Sequence, residues 1–473
     1  MTTCLAVLSR VPAAKVVAVF AGLFYFAFGY AFATQTSVLS YINLVFQADC
    51  SRVILDMTNV DHVHWRTRVH PLHALLTSPV GVPLSGLFGS RELAAIAMTA
   101  ALAAGAVWNL DTILQRTTHL SRLERTLFAV LLAASASQVT FGALPETHVA
   151  SAFGISWMAR HLSGRLAHRR GFGDGGGVLG FIRGSGVVPA VVAAGALVTN
   201  AVLVPVYLLL QLRRGEARTR RLLAVLAAGS AIATLLAGLH LVQREVLRST
   251  TLADVAQHGT TVLAGGAHPP ETVPAGAPAP SGASEGSLER STMHGALKLL
   301  ESELKFVLME GRSPVERVAS VVAATFALNL FAPAVHTTTV AGWDQPFAYF
   351  DYLAFDLRPP GVLGLAAWLG LLVAAPIVAG RRMRELAENP VAIFAAVTSG
   401  FYAALFCLYG DDLFLYSPSS VLPLVLLFAP VYGLAKRASL RLGRVGSVLL
   451  FASALLLSVN SYLYARDLLQ VYT

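Results

Sequence analysis

Charge is what this sequence lacks: Asp, Glu, Lys and Arg together make up 13% of its 473 residues. A soluble chain carries roughly 25%, and a chain this poor in charge cannot coat its own core in water. With 55% hydrophobic residues and a mean hydropathy of +0.63, it reads as an integral membrane protein. Cysteine is scarce as well. Cys4, Cys50 and Cys407 show no paired spacing, so neither a disulfide framework nor a zinc site is signalled. Acidic residues are outnumbered, giving a net charge of +9. The excess arginine gathers in short segments between apolar runs, where positive charge holds loops in the cytoplasm, so it signals orientation and no nucleic-acid partner.

What is present is a series of apolar stretches near the ~20 residues a span requires. They lie near 16–45, 91–115, 126–143, 147–164, 221–242, 361–380, 391–409, 418–435 and 445–464. The first is far longer than the apolar region of a signal peptide, so it is expected to remain as a span. Segment 181–212 is too long for one crossing and carries arginine clusters at both ends. A tight helical pair, 181–198 and 200–212, keeps both clusters on one side. The expectation is an all-α, polytopic protein of about 11 transmembrane helices with a cytoplasmic N-terminus. The Ala, Gly, Arg and Val bias associates it with a bacterial plasma (inner) membrane. Residues 1–243 form a transmembrane core with an outer loop at 46–90, residues 244–316 a polar, partly disordered loop, and residues 317–473 a second bundle. Segment 318–335 is apolar enough to span, but a crossing there would reverse the following arginines, so it is expected to be interfacial or re-entrant.

By this topology the chemistry-bearing groups collect on the outer side. Loop 47–73 holds Asp49, Asp56 and Asp61, four histidines (His62, His64, His70, His73), and Arg52, Arg66 and Arg68. The histidines match no recognised zinc spacing. Asp49 directly follows the first span, at headgroup level, where ionisable groups are functional candidates. The short turn Leu144-Pro145-Glu146-Thr147-His148 fixes Glu146 at the same interface, and Gly410-Asp411-Asp412 forms another acidic turn. Asp111 is expected to pair with a neighbouring helix or to snorkel.

The order of these features resembles membrane glycosyltransferases of the GT-C superfamily, of the protein mannosyltransferase and aminoarabinose transferase kind. That family has an acid at the outer end of the first span, then a loop with surface helices closing on a His-Pro-Pro-Leu-like motif. Here Asp49 stands in the first position and His70-Pro71-Leu72 in the second, with one proline missing. Pro145-Glu146-Thr147-His148 is similar to the family's acidic turn between its third and fourth spans, and Ala194–Asn200 to its broken helical pair. The family often has adjacent acids after the first span, where this chain has Asp49-Cys50. The resemblance, over roughly 16–243, implies an inverting transfer of a hexose or pentose from a polyprenyl-phosphate donor to a glycan, lipid or protein acceptor. It implies Asp49 as base, Asp56 as its alternative and Glu146 as a further acid. Arg52, Arg66, Arg68 and His70 would serve the lipid phosphate. Participation of a divalent cation stays open. Two other readings stand beside it: a transporter or lipid flippase, and a non-catalytic membrane assembly subunit.

Overall fold

The structure, a computed structural model, describes residues 12–40, 44–60, 70–168, 186–211, 218–247, 313–339, 345–352, 356–408 and 413–473. Most of the described residues are helical. In chain order the helices are α1 (Ala13–Gln35), α2 (Cys50–Thr58), α3 (His73–Phe88), α4 (Arg91–Thr117), α5 (Arg122–Ala133), α6 (Ala136–Ala143), α7 (Thr147–His168), α8 (Val187–Ala196), α9 (Leu203–Leu210), α10 (Arg218–Leu247) and α11 (Pro314–Ala323). A two-stranded antiparallel ribbon follows, β1 (His336–Thr338) and β2 (Phe347–Tyr349), then α12 (Pro359–Ala379), α13 (Pro390–Leu408), α14 (Ser417–Ala438) and α15 (Leu440–Gln470). Among the described residues seven helices are long and apolar enough to cross a membrane: α1, α4, α10 and α12 to α15. The pair α5–α6, bent by 58°, passes the same test as a unit and makes eight if it is counted as one broken span. The chain is a multi-pass membrane protein.

Close packing fixes the helix directions. Gly22 lies against Ala104, and Gly29 against Ile96 and the Ala143 carbonyl, so α1 and α4 run antiparallel while α6 ends beside the C-terminal half of α1. A Cβ at Gly29 would stand 2.5 Å from both of its neighbours, which is why only glycine fits. The Tyr472 hydroxyl donates to the Leu44 carbonyl at 3.2 Å, bringing the end of α15 to the face where α1 ends. We call this the site face. At the opposite face, Lys436 at the end of α14 donates to both carboxylate oxygens of buried Glu124 at 2.8 Å. Arg125 there reaches Asp111 at 3.4 Å, the neighbouring-helix partner expected for that acid.

The break between α5 and α6 lies deep in the bundle, where backbone groups must be satisfied by protein. Tyr25 donates to the freed Ala133 carbonyl at 2.6 Å, and Ser461 donates to that of Ala134. The freed amides of Ala136 and Ser137 donate to the Leu330 and Asn329 carbonyls at 2.9 and 3.2 Å. Those carbonyls belong to the 313–339 segment, which enters and leaves by one face. Arg317 bonds the Phe406 carbonyl, near the site-face end of α13, at 3.0 Å. The chain descends to Leu330 and then returns to the ribbon, where the Ala348 amide bonds the Leu44 carbonyl at 3.1 Å. The segment is re-entrant.

A second inward fold is the hairpin α8–α9. Its base is closed by Tyr207, whose hydroxyl donates to the Gly186 carbonyl at 3.2 Å and meets His161 Nδ1 at 2.9 Å. Its tip is held by Asn200, whose Nδ2 reaches Ser151 Oγ and the Ala193 carbonyl, each at 2.8 Å, while Tyr402 donates to its Oδ1 at 2.5 Å. At 1.5 Å per residue the arms are only about 15 and 12 Å long, against a hydrocarbon core of about 30 Å.

Candidate functional site

The site begins with strain. Phe46 and Gln47 adopt left-handed backbone at φ 50° and 57°, a region that costs a residue with a Cβ about 1–2 kcal/mol. The turn persists because it is clamped. The Phe46 ring packs between Phe350 and Phe414, with centroids 4.6 and 4.7 Å away, and its amide donates to the Ala348 carbonyl at 3.0 Å. The turn swings the chain back over the bundle and delivers Asp49 to the N-terminus of α2.

On α2 the spacing Asp49, Arg52, Asp56 puts all three side chains on one helical face. Asp49 occupies the N-cap position but makes no side-chain cap; its carboxylate faces Arg52. Arg52 donates to Asp49 Oδ2 from Nε at 3.2 Å and from Nη2 at 2.9 Å, and to Asp56 Oδ2 from Nη1 at 3.0 Å. All three are nearly buried, with side chains 13% (Arg52) and 7% (each Asp) exposed.

The turn between α6 and α7 supplies the third acid. Glu146 Oε2 accepts the Asp49 backbone amide at 3.0 Å, joining two parts of the sequence nearly one hundred residues apart. Its Oε1 accepts from the Thr147 amide at 2.7 Å and the Thr147 hydroxyl at 2.8 Å. That hydroxyl also meets His70 Nε2 at 3.2 Å, and His70 Nδ1 donates to the Ala196 carbonyl at the hairpin tip at 2.9 Å. The Leu72 amide ties the same stretch to the Gly195 carbonyl at 2.8 Å. His148 and His73 stand beside His70, with ring centroids 6.0 and 6.4 Å away, and His148 packs on Tyr416 at 4.8 Å.

No protein-family model, curated protein or solved structure matches the chain. The chemistry therefore rests on the residues themselves.

Burial pushes the Glu146 carboxyl up, but His148, Arg52 and the Thr147 hydrogen bonds outweigh it and hold it below its usual value. Burial, then Arg52 and His148, push His70 well below the ordinary histidine range, so the ring is neutral at pH 7. Burial opposes the charge on Arg52, yet Asp49, Asp56 and Glu146 raise its affinity for the proton. Cys50 is buried, and burial together with Glu146 and Asp49 raises its thiol far above the normal range, which leaves it unreactive.

Five sequence candidates, Asp49, Arg52, Asp56, His70 and Glu146, thus meet in one hydrogen-bonded group. Arg66 and Arg68 lie outside the described residues, as do Asp61, His62, His64, Asp411 and Asp412. Arg52, assigned by the resemblance to a lipid phosphate, spends its donors on two carboxylates. Among the described residues no three His, Cys, Asp or Glu side chains are grouped to hold a metal ion. Sequence reasoning gave no role to Thr147 or His148, although both stand in the quoted turn. It also missed the 49, 52, 56 spacing, which by itself signals an acid–arginine–acid face.

Proposed function

We propose that this protein is a membrane glycosyltransferase, taking a sugar from a polyprenyl-phosphate donor to an acceptor hydroxyl at the outer face of a bacterial plasma membrane. The observation that carries the reading is the buried group joining Asp49, Arg52, Asp56 and Glu146 where the first span meets the interface. Asp49 takes the acceptor's proton as its oxygen attacks the anomeric carbon, and the bond from that carbon to the phosphate oxygen breaks. The lipid phosphate leaves and the anomeric configuration inverts. Arg52 holds the Asp49 carboxylate in place from Nε and Nη2. Arg66 and Arg68, in the stretch between residues 60 and 70, are the cations assigned to the departing phosphate, for which forked guanidinium donors suit. The charge pattern supports putting the site face outside, since Arg116, Arg122, Lys436 and Arg437 fall at the other end.

The test is Asp49→Asn in native membranes, assayed for sugar transfer from a polyprenyl-phosphate donor. Loss of transfer at normal protein level is expected; undiminished transfer removes the proposed base. A transporter or flippase is the second reading, favoured by the broken α5–α6 span and the re-entrant 313–339 segment, features that transporters place around their substrate path. Lipid or solute flux in proteoliposomes, with no transfer product, would decide for it.

A further inference from the structure

Thr147 sits where two groups claim one proton. Its hydroxyl is fully buried and carries a single hydrogen, with Glu146 Oε1 at 2.8 Å on one side and His70 Nε2 at 3.2 Å on the other. A carboxylate oxygen only accepts. His70 Nδ1 faces the Ala196 carbonyl at 2.9 Å, and a carbonyl also only accepts, so Nδ1 must carry hydrogen. That fixes the tautomer of the neutral ring and leaves Nε2 as an acceptor. The Thr147 hydrogen stays on Glu146 Oε1, which is ionised and nearer, so the neutral ring draws no hydrogen from it. When His70 gains a proton, Nε2 becomes a donor. The Thr147 oxygen accepts from it while the hydroxyl goes on donating to Glu146. Protonation of the ring thus completes a chain from His70 through Thr147 to Glu146.

We infer that Thr147 is a positioning residue whose hydroxyl links His70 to Glu146, so that a proton on His70 is held through Thr147 by the same acid that grips the Asp49 amide. The inference rests on the reading of Asp49 as the base, which gives that grip its use. The groups facing His70 are Arg52 from α2, His73 from α3, Glu146 and His148 from the α6–α7 turn and α7, and the Ala196 carbonyl from the hairpin. Arg52 and the two histidines oppose a second proton on the ring, while Glu146, reached through Thr147, favours it. At neutral pH the ring is neutral and the hydroxyl donates to Glu146. Acidification closes the chain from His70 through Thr147.

The test uses the full-length protein in nanodiscs with nitrogen-15 histidine, read by NMR across pH, for wild type, Thr147→Val and Thr147→Ser. Wild type is expected to show the Nδ1–H tautomer of His70 at neutral pH; an Nε2–H tautomer overturns the inference without any variant. Thr147→Val keeps the shape but has no hydroxyl to link the protonated ring to Glu146. Its protonated fraction of His70 at a given acidic pH is expected to fall roughly tenfold, the size of one charge-assisted hydrogen bond. Thr147→Ser is expected to restore the wild-type titration. Identical titration in all three overturns the inference. In a transfer assay Thr147→Val is expected to change the acidic limb of the pH profile, and Thr147→Ser to recover it. If the His70 titration depends on the hydroxyl but no pH gives sugar transfer, the glycosyltransferase reading fails while the Thr147 relay stands.

Discussion

Arg52 offers the sharpest test of how the site is held together. Replacing it with Met keeps the stem and removes the guanidinium that bonds Asp49 and Asp56 at 2.9 and 3.0 Å. Two carboxylates, each 7% exposed, lose the Arg52 cation, with Glu146 a third acid bonded to the Asp49 amide. Breaking a buried pair from one side costs about 3–5 kcal/mol. The group lies at the end of a span, so the lower end applies, and about 3 kcal/mol is roughly a hundredfold in the folded-to-unfolded ratio. The assay is reversible unfolding by SDS in mixed micelles, at pH 7.5 and pH 5. The pH dependence carries a sign. Without Arg52, Glu146 loses one of the charges that hold its carboxyl down, so part of its stabilising contribution at neutral pH goes and the deficit of the variant shrinks as pH falls. Wild type goes the other way. Glu146 is held below its ordinary 4.5, so its contribution is present above that value and is lost as pH falls through the lowered one. A variant within about 1 kcal/mol of wild type at pH 7.5, as for an exposed pair, would refute the reasoning. So would a deficit that acid leaves unchanged.

Three further substitutions probe the scaffold. Tyr25→Phe strips the Ala133 carbonyl of its donor deep in the bundle and is expected to cost about 1–3 kcal/mol in the same unfolding assay; no loss would mean that another group covers that carbonyl. Gly81→Ala drives a Cβ into the Met57 carbonyl, forcing α2 from α3, and is expected to lower both thermal stability and sugar transfer. Gln47→Gly relieves a left-handed residue and is expected to raise the unfolding temperature while lowering transfer, because the turn that aims Asp49 loosens; a gain in both would detach the strain from the site.

The long spans were legible because hydropathy over ~20 residues is a property of composition alone. The approach of Glu146 to Asp49 was partly legible, since the end of the first span and a very short turn must reach the same interface. The break at Ala134–Ser135 was not. The polar stretch Ser135-Ala136-Ser137-Gln138 is too short to interrupt a window of ~20 residues, and the cause of the break is a set of partners, Tyr25, Ser461 and the 329–330 carbonyls, that no local window contains. The depth reached by 318–335 was hidden for the same reason. Arrangement around Arg52 was available from helical spacing, but its short helix carries too little apolar pattern to announce itself. His70 was found through its motif. Its link to Thr147 depends on a hairpin tip more than one hundred residues away.

The broken span also bears on how the protein is made. Residues 122–143 leave the ribosome long before residues 329–330 and Ser461 exist, yet those later residues cover the peptide groups exposed at the bend. Until they arrive, the nascent N-terminal half carries uncovered amides and carbonyls that lipid cannot satisfy. Completion of this one crossing is therefore a late event in biogenesis. The C-terminal half acts on the N-terminal half as an internal chaperone, and a chain truncated before α15 is expected to be cleared by membrane quality control.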